Sequence, residues 1–576
     1  MYFMKLPILL FFLSAFCFSQ SQEYPKNDFR SPLDIPLYAS GSFGELRGNH
    51  FHSGLDLKTQ QKEGLKVFAV ADGYVSRIKI SEGGYGKALY ITHPNGFTSV
   101  YGHLKKFNGP IADFVRKRQY AQKSYEIEIF PLAGELKVSK SEIIAFSGNS
   151  GSSGGPHLHF EIRDSKTEQI INPMFFGFDI QMPDTKSPII NNLVAYAIGD
   201  SAVVNSSQRT IPVNLTLQSD GSYLANKVLA KGNIGFGINT YDLSDNNFNW
   251  NGIYKAETFL NGSRLFKYEF DKFAFDETRY INNFIDYYRY KTIKQSIQKL
   301  FFKRNYPFSL VSGNKKSGQI AVQPNQTLNY RVEVSDFHGN KRVINVPIQY
   351  SEAPASIPRE EKKTPYLVKA RNDNNYTKNN VSVFIPENAF YDDFYMNFEV
   401  KDNVLFLHDE TVPVHLNLTV TFDVSEIPNL NREKTFISRM DGNKPEYFTT
   451  YKKGNLFSIR TKDLGKFLLM TDTIAPKIYR PNFSEGGSLD KADSLSIHIS
   501  DDLSGIKEYN GYLNGKWFLM DYDYKTKSLT HYFSEAVYEE GKNELKVVVS
   551  DKMGNSTIFE THFFKTKKQS SVEKTN

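Results

Sequence analysis

The sequence predicts a mainly β protein, with an antiparallel β-sheet domain at the N-terminus followed by β-sandwich domains and one short helical insertion. From residue 38 to about residue 178, short runs of β-branched and aromatic residues alternate with glycine turns, which is typical of short strands. Beyond residue 184, one pattern of strands and turns occurs twice. The 576 residues exceed what a single core can organise, so we expect about three to five domains.

The overall composition is that of a soluble globular protein. Hydrophobic residues make up 40% of the chain, charged residues make up 23%, and the formal net charge is +7. Lysine and arginine are scattered among acidic residues, so the clustered basic surface that nucleic-acid binding needs is not predicted. We therefore expect no nucleic-acid partner.

The N-terminus has the pattern of a secretory signal peptide at residues 1–19. Lys5 precedes the apolar run Leu6–Phe18, which is too short to span a bilayer, and cleavage is expected near Ser19–Gln20. The mature charge would be +6, because Lys5 is the charged residue removed (7 − 1). Cys17 lies in this segment, so the mature chain would carry no thiol. No later stretch is apolar enough for a stable membrane span. We expect an exported protein of the periplasm or cell envelope, with secretion as the alternative.

Residues 24–182 are predicted to form the first domain, an antiparallel β core with loops around a groove. The polar, proline-bearing residues 20–37 indicate an arm that leads into it. Between two of the motifs described below, Ile111–Lys123 has helical spacing and predicts a short helix, either a surface insertion or a lid on the groove. Strands are predicted at Val67–Val70, Tyr74–Ile80, Ala88–Thr92, Thr98–Tyr101 and Leu158–Ile162.

Three short motifs of this domain concentrate histidine. They are F-H-S-G-L-D at residues 51–56, Y-G-H-L at residues 101–104 and G-G-P-H-L-H-F-E at residues 154–161. Zinc takes imidazole nitrogen and carboxylate oxygen in a tetrahedral shell, and a catalytic zinc site leaves the fourth position to water. The motifs offer more than three candidate ligands, which favours a catalytic site over a structural one.

These motifs, in this order, resemble those of the lysostaphin-like (LytM-type) zinc endopeptidases, which cut peptide cross-links in bacterial cell walls. The family pattern H-x-G-x-D corresponds to residues 52–56, Y-x-H-L to residues 101–104, and the Gly/Ser-rich loop before P-H-L-H-F-E to residues 148–155. Residues 67–75 and 84–93 also resemble core strands of the family. The resemblance covers about a quarter of the chain.

The resemblance implies one zinc ion per chain, with His52, Asp56 and His159 as its ligands. A strand places residues i and i+2 on the same face, so His157 and His159 would both point into the groove. His157 then corresponds to the family's catalytic histidine, with His103 opposite. One of the two would take a proton from water and the other would stabilise the oxyanion, and the sequence leaves open which does which.

Two other histidines and the loop 148–155 are interpreted as surroundings of the site and not as metal ligands. His50 lies outside the H-x-G-x-D register and is interpreted as a rim residue, and His93 follows a core strand and is interpreted as structural. The loop 148–155 has no phosphate-binding lysine and no helix pattern after it. It is therefore interpreted as a wall of the substrate groove.

The rest of the chain contains a faint internal repeat. D-T-K-S-P-I-I at 184–190 recurs as D-T-I-A-P-K-I at 472–478, and V-E-V-S-D-F-H-G-N at 332–340 recurs as V-V-V-S-D-K-M-G-N at 547–555. Strands that alternate with regular turns in this way are typical of Ig-like β-sandwiches. We expect one such unit at 184–350 and another at 472–566.

The segments between the repeats are predicted from their composition. Apolar residues at near-helical spacing predict one or two amphipathic helices at about 276–302, packed on the first sandwich or, alternatively, docking a partner. The proline-bearing linker 351–365 leads to a third β-sandwich-like domain at 366–471, with strands at Val381–Ile385 and Val414–Phe422.

These features together predict an exported zinc metalloendopeptidase whose partner is peptidoglycan and whose substrates are stem peptides or cross-links. The sandwich domains are expected to act as spacers or docking modules, and they are candidate contacts for envelope proteins. One alternative is a non-catalytic wall-binding regulator, which would be expected to lose ligand or catalytic positions. The other is a zinc peptidase that acts on secreted proteins.

Overall fold

The protein is described from a computed structural model that covers residues 23–566, apart from 246–247, 305, 313–317, 361 and 536. The expected signal segment 1–19, with Cys17, lies outside the described residues. Within the described part of the chain, no helix is long and apolar enough to cross a membrane. The predicted fold class is confirmed, because the described chain is built mainly of antiparallel strands.

The N-terminal domain is built on a sheet of ten strands. In spatial order the sheet contains Ala39–Gly41, Leu55–Lys58, His157–Asp164, Phe97–Gly102, Lys87–Thr92, Gly73–Ile80 and Ile127–Ile129, with Lys137–Val138, Ile170–Ile171 and Lys272–Phe273 paired at its sides. Beside it lie a three-stranded sheet and a hairpin, formed by Lys66–Phe68, Ile143–Phe146 and Lys106–Phe107 and by Leu46–Arg47 and His50–Phe51. Each of the five strands predicted for this domain overlaps one of these.

The helix of this domain spans Gly109–Gln122. Pro110 stands in its first turn, where the missing N–H has no intrahelical partner to lose. The helix ends at Lys123, which takes the left-handed conformation and donates its N–H back to the last turn. One face is buried through Ile111 and Val115. Two short helices, Pro173–Phe176 and Phe178–Gln181, close the domain.

The segment before the first strand belongs to the core of this domain. Phe29, Leu33 and Leu37 are all buried among the side chains of the ten-stranded sheet. The ring of Tyr24 stacks on Phe175, with ring centroids 5.2 Å apart. The described part of the arm predicted at residues 20–37 therefore packs into the first domain, because these apolar side chains anchor the segment despite its polar composition.

The second unit forms one continuous network of twelve strands around one core. Its strands are Ile189–Val204, Ile211–Val213, Leu215–Leu217, Tyr223–Ala225, Val228–Tyr241, Lys255–Leu260, Ser263–Glu269, Gln298–Lys299, Val311–Ser312, Ile320–Val322, Thr327–Ser335 and Lys341–Tyr350. Val228–Tyr241 pairs antiparallel with Ile189–Val204 and parallel with Lys341–Tyr350, so the hydrogen bonding is continuous around the core. The two separate sheets of an Ig-like sandwich are not present in this described unit, and its Ig-like assignment stays a prediction.

The helical insertion of this unit is shorter than predicted. It consists of Phe275–Tyr280, Ile281–Phe284 and Tyr287–Ile293, and Lys294 in the left-handed conformation ends it. The helices predicted as far as residue 302 are wrong beyond Ile293. The apolar spacing there belongs to a strand at Gln298–Lys299, whose neighbours are buried against the long strand of the sheet.

The third and fourth units each place two sheets face to face. The third contains Asn374–Lys378, Val381–Ile385, Leu418–Asp423, Leu456–Thr461 and Tyr451–Lys453 in one sheet, Phe398–Lys401, Val404–Leu407, Gly465–Thr471, Thr435–Asp441 and Lys444–Tyr447 in the other, and the pair Leu367–Val368 and Phe394–Tyr395. The fourth contains Lys477–Tyr479, Ser494–Ser500, Ser528–Tyr532 and Asp521–Asp523 in one sheet, Lys516–Phe518, Ile506–Leu513, Gly541–Asp551 and Ser556–Lys565 in the other, and the turn Phe533–Glu535. The strand predicted from Val414 begins only at Leu418.

The fourth unit returns to the N-terminal domain. Leu519 is buried within the core of that domain, and Tyr509, Trp517 and Tyr522 are partly buried against it. The ring of Trp517 lies edge-on to Tyr120 of the helix, with centroids 5.5 Å apart. The helix that was predicted as a surface insertion or a lid therefore contacts the last sandwich.

Candidate metal centre

Two neighbouring strands carry most of the predicted site residues. Leu55–Lys58 pairs antiparallel with His157–Asp164, and in this register Asp56 lies directly opposite His159. Since residues i and i+2 of a strand face the same side, His157 and His159 share one face of the sheet. The register therefore brings two motifs that are about a hundred residues apart in the chain to one point.

His52 reaches the same point from the hairpin before the strand. Its Nε2 lies 3.0 Å from Asp56 Oδ1 and 3.2 Å from His159 Nδ1, and His159 Nδ1 lies 2.9 Å from the same oxygen. Zinc bonds of about 2.0–2.1 Å in a tetrahedral shell place neighbouring ligand atoms roughly 3.3 Å apart. The donor set and its spacing therefore fit a zinc ion.

The second ring nitrogens of these histidines are held by hydrogen bonds. His52 Nδ1 donates to the Ser42 carbonyl at 2.8 Å, and His159 Nε2 donates to Glu161 Oε1 at 2.8 Å. Such bonds fix the tautomer and the ring orientation of a metal-binding histidine. The lone pairs of His52 Nε2 and His159 Nδ1 are thereby turned toward the metal position.

Glu161 links His159 to a buried network. Its carboxylate accepts hydrogen bonds from Arg163, Ser53 and Tyr85, and its side chain is fully buried. Burial alone would raise the pKa of Glu161, but Arg163 and His159 outweigh it and hold the pKa below its usual range. Sequence reasoning did not single out Glu161. The available signal was its place two residues after His159, on the same face of the strand.

When no metal ion is bound, the neighbouring charges shift the pKa values of Asp56 and His159. Burial would raise the pKa of Asp56, but the surrounding imidazoles, His52 foremost, hold it well below its usual range. Arg47 also donates to Asp56 Oδ2 at 3.1 Å. Burial would lower the pKa of His159, but its bonds to Asp56 and Glu161 raise it to about 9. A metal ion must displace that proton, so acid weakens metal binding.

His157 and His103 stand beside the three candidate ligands. Their ring centroids lie 4.8 Å apart, and His157 Nε2 lies 3.3 Å from Asp56 Oδ1. His157 Nδ1 donates to the Gly155 carbonyl and His103 Nδ1 to the Ser150 carbonyl, each at 2.8 Å. These bonds put the proton of each neutral ring on Nδ1 and leave Nε2 free to accept one.

His103 is kept neutral by its surroundings. Burial, followed by the neighbouring imidazoles of His159 and His157, lowers the pKa of His103 to about 3. Its backbone takes the left-handed conformation, with φ of 56°, which is uncommon for a residue with a side chain. The structure thus brings all five predicted site residues together, and their individual roles stay a prediction.

The two other histidines lie apart from the metal position. His50 is exposed, and its Nδ1 donates to the Gly48 carbonyl at 2.9 Å. His93 is buried, with Nδ1 bonded to the Asp72 carbonyl and Nε2 to the Ser99 hydroxyl, each at 2.8 Å. These contacts agree with a rim position for His50 and a structural position for His93.

The loop 148–155 positions both non-ligand histidines through its carbonyl oxygens. Gly151 takes a φ of +69°, and a Cβ atom there would lie 2.3 Å from the backbone nitrogen of Gly86. The loop can therefore lie on the turn at Gly84–Gly86 only because residue 151 has no side chain. Any displacement of this loop would move the groups that orient His103 and His157.

The fourth unit holds the same loop from outside. Lys525 Nζ donates to the carbonyl oxygens of Asn149 at 2.6 Å and Ser153 at 2.7 Å, and the Tyr524 hydroxyl donates to the Gly151 carbonyl at 3.3 Å. We call Tyr524 and Lys525 the loop clamp. Three carbonyl oxygens of the site loop are thus bonded by the last sandwich.

Ion pairs also join the N-terminal domain to the fourth unit. Lys87 pairs with Asp521 at 2.9 Å, and Arg116 and Tyr120 of the helix both bond Glu535. Burial alone would lower the pKa of Lys87, but Asp521 outweighs it and raises that pKa. Sequence reasoning missed these residues, because partners 372 to 434 positions apart leave no local pattern.

The helical insertion supports the hairpin that leads to His52. The backbone N–H of Phe51 donates to Thr278 Oγ1 at 3.2 Å, and Asn282 Nδ2 donates to Asn49 Oδ1 at 3.0 Å. Phe51 is buried in the core of the second unit. Two later units therefore contact the N-terminal domain at segments that carry or position the candidate site residues.

An antiparallel sheet that gathers two histidines and an aspartate, with two more histidines beside them, is an arrangement suited to a metal-dependent hydrolase. Residues 50–127 match the family model of Peptidase family M23, and the N-terminal domain is therefore an M23-type, lysostaphin-like peptidase domain. The matched range includes His52, Asp56 and His103, and the H-L-H motif follows it. Residues 365–472 match the family model of a Zu5-like domain.

Two curated relatives share the peptidase domain. The chain is 34% identical over 123 residues to the DD-carboxypeptidase/endopeptidase Mpg of Neisseria meningitidis serogroup B, which covers 21% of this chain and 22% of the relative. It is 32% identical over 174 residues to an uncharacterized metalloprotease of Haemophilus influenzae, which covers 29% of this chain and 30% of the relative. The chain thus spans less than a third of the length of either relative.

Solved structures of M23 catalytic domains resemble the same region. The EnpA catalytic domain from Enterococcus faecalis is 24% identical, with 26% of this chain and 98% of that chain covered and a TM-score of 0.20. The lysostaphin catalytic domain from Staphylococcus simulans is 23% identical, with 24% of this chain and 90% of that chain covered and a TM-score of 0.18.

Proposed function

We propose that this chain is an exported zinc endopeptidase that hydrolyses peptide cross-links or stem peptides of peptidoglycan. The observation that carries the proposal is the convergence of His52 Nε2, Asp56 Oδ1 and His159 Nδ1 within 3.2 Å of one another. Two histidines outside this set stand beside it, which a structural zinc site does not need.

In the proposed enzyme, His52, Asp56 and His159 hold one zinc ion. When bound, zinc supplies Lewis-acid chemistry, because it lowers the pKa of water to about 7 and polarises the scissile carbonyl. Two ligands are neutral imidazoles and one is a carboxylate, a combination found in catalytic zinc sites.

His157 and His103 carry out the proton transfers. Each presents an unprotonated Nε2, because Nδ1 donates to a loop carbonyl. One of them accepts a proton from water and returns it to the leaving amine, and the other donates to the oxyanion once it is protonated.

The proposed substrate class rests on the domain family and on a relative's name. The Neisseria relative is named a DD-carboxypeptidase/endopeptidase, and it shares 34% identity with 123 residues of this chain. Peptidoglycan is the corresponding substrate for an exported chain with this domain. Export follows from the signal pattern at residues 1–19, and we propose the periplasm or cell envelope as its location.

Digestion of purified sacculi tests the proposal. The mature zinc-loaded chain is incubated with sacculi, and the released muropeptides are analysed by mass spectrometry beside a His157→Ala sample. We expect cleavage of peptide bonds by the unsubstituted chain alone. Binding to sacculi without any cleaved product would identify a non-catalytic wall binder. Inert sacculi together with cleaved protein substrates would identify a peptidase of secreted proteins.

A further inference from the structure

Two clusters of aspartates lie outside the peptidase site, where the two repeat units begin. The first joint cluster consists of Asp184, Asp242 and Asp336, which line one cavity, and the second joint cluster consists of Asp472, Asp501 and Asp551. In the first, ligand atoms of Asp184, Asp336 and the neighbouring His338 lie within 4.8 Å of one another, and Asp242 interacts with Asp184. In the second cluster, one carboxylate oxygen of each residue lies within 4.8 Å of the others. Neither cluster takes part in the proposed hydrolysis.

The clusters occupy equivalent positions in the two units. Asp184 and Asp472 lie just before the first strand of their units. Asp242 directly follows the strand Val228–Tyr241, and Asp501 directly follows the strand Ser494–Ser500. Asp336 and Asp551 lie in the two S-D-x-x-G-N turns. In both turns the asparagine side chain donates to the first aspartate's carbonyl at 3.0 Å and to the third aspartate's carboxylate at 2.7 Å. The repeat seen in the sequence therefore builds the same acidic site twice.

The first joint cluster concentrates negative charge without a matching cation. Asp184, Asp242 and Asp336 are all buried, and none forms an ion pair with Lys or Arg among the described residues. Burial, followed by the charges of Asp184 and Asp336, raises the pKa of Asp242 to about 8. Buried carboxylates are normally paired with cations or bound to metals, so this arrangement is costly when it holds none.

Unpartnered oxygen atoms accompany the carboxylates. Asn251 Oδ1 and Asp242 Oδ1 have no hydrogen-bond partner among the residues that the structure describes, although the two residues are only 4% and 5% exposed. Both residues line the cavity of about 200 Å³ that Asp184 and Asp336 also line. At the second cluster, Ser504 Oγ is buried and has no partner in the described part of the chain, and the backbone N–H of Ser504 donates to Asp472 Oδ2 at 3.0 Å. Buried oxygens of this kind are normally satisfied, so each points to a missing ligand.

We propose that each joint cluster binds one calcium ion. Calcium takes six to eight oxygen ligands from carboxylates, amide and backbone carbonyls and water, in flexible geometry. The first site offers three carboxylates and the Asn251 amide oxygen, and the second offers three carboxylates and the Ser504 hydroxyl. These hard oxygen donors favour calcium over zinc, which prefers nitrogen and sulfur.

The ions would fix the joints between domains, which goes beyond the proposed hydrolysis. The first cavity is also lined by Leu37, Phe43 and Asn172 of the peptidase domain, so an ion there holds that domain to the second unit. Asp472 directly follows the last strand of the Zu5-like domain, and its N–H donates to the Lys434 carbonyl at 3.0 Å. An ion there holds that domain to the last sandwich.

Calorimetry on the full mature chain tests the proposal. The chain is stripped with chelator, reloaded with one equivalent of Zn²⁺ and titrated with CaCl₂. We expect two Ca²⁺ per chain, with dissociation constants of about 1 mM or below, as in extracellular modules. Asp242→Asn and Asp551→Asn should each leave one Ca²⁺, and the double variant none. Asp502→Asn is the matched control, since Asp502 is exposed and pairs with Lys477, and it should retain both.

Thermal unfolding supplies a second readout. Calcium should raise the melting temperature of the unsubstituted chain and of Asp502→Asn, and it should not raise that of the double variant. Above about pH 8, where the Asp242 carboxyl is ionised, Asp242→Asn removes like-charge repulsion, so in chelator at that pH it should melt higher than the unsubstituted chain, which also shows that it is folded. No calcium binding at millimolar concentration, or equal binding by the double variant, would overturn the proposal. Preferential zinc binding at the first cluster, through His338, would overturn the identity of the ion there.

Discussion

At the scale of single residues, the proposed roles separate groups that would hold the metal from groups that would move protons. His159→Ala or Asp56→Ala should lose both metal and activity, because a site with two remaining ligands binds zinc weakly. The measurement is the zinc content of the dialysed protein beside its rate on a stem peptide. His50→Ala is the control, since His50 is exposed and bonded only to its own turn. Full zinc content in His159→Ala would contradict the assignment.

The proton-transfer residues should behave in the opposite way. His157→Ala and His103→Ala should keep their zinc and lose turnover by about 10²- to 10⁴-fold, the range of general acid–base contributions. Zinc analysis and kcat on the same samples separate this result from loss of the ion. If His157→Ala lost its zinc while His159→Ala kept it, the ligand and the catalytic histidine would be exchanged.

A buried histidine of the last sandwich makes that unit sensitive to acid. Burial lowers the pKa of His531 to about 4, its Nδ1 donates to the Leu519 carbonyl at 2.9 Å, and its Nε2 has no partner among the described residues. The unfolded state, with a pKa near 6.5, therefore binds more protons between about pH 4 and 6.5. The contribution of His531 to the free energy of unfolding is therefore fully present above pH 6.5. It falls as the pH drops, by up to about 3 kcal/mol at pH 4.

Denaturant unfolding between pH 4 and pH 7 measures this effect. His531→Phe should unfold with a smaller pH dependence than the unsubstituted chain, even if the lost bond to Leu519 costs about 1 kcal/mol at pH 7. His562→Gln is the control, since that histidine is partly exposed on the same unit. An unchanged pH dependence in His531→Phe would assign the acid sensitivity to other groups.

At the scale of elements, local patterns predicted most strands and the five site residues. Period-two runs located the strands near residues 74–80, 88–92 and 158–162, and motif order located the histidines. The extent of the helical insertion was wrong, because apolar spacing does not distinguish a short helix from a buried strand near residue 298. The loop clamp could not be predicted, since its partners are over 370 residues away and share no pattern.

The loop clamp should affect catalysis without touching the metal. Lys525→Met removes three hydrogen bonds to loop 148–155, two of them to backbone carbonyl oxygens. Other carbonyl oxygens of this loop orient His103 and His157. We expect kcat to fall about tenfold, equivalent to about 1.4 kcal/mol, with the zinc content unchanged. Lys516→Met is the matched control, because that lysine is exposed on the same unit and lies near Glu539 only. Equal kinetics in the two variants would show that the loop is rigid by itself.

At the scale of the whole molecule, the last sandwich packs into the core of the peptidase domain. Deletion of residues 472–576 exposes the surface that Leu519 and Trp517 cover and leaves Lys87 without Asp521. We expect the shortened chain to bind zinc, to melt at a lower temperature and to cleave stem peptides more slowly. Calorimetric unfolding, zinc analysis and peptide kinetics on one preparation measure all three. Unchanged melting and kinetics would show that the sandwich only docks there.

The contact between the peptidase domain and the last sandwich also determines when the site loop acquires its final support. Proteins that emerge N-terminus first fold domain by domain, so the peptidase domain is complete long before Lys525 is available. Contacts between distant segments form late because a long loop must close first. If the proposed function holds, full activity would therefore follow the synthesis and export of almost the entire chain. Trp517 reports this last step, since it meets Tyr120 only after docking, whereas Trp250, the other tryptophan, is largely exposed.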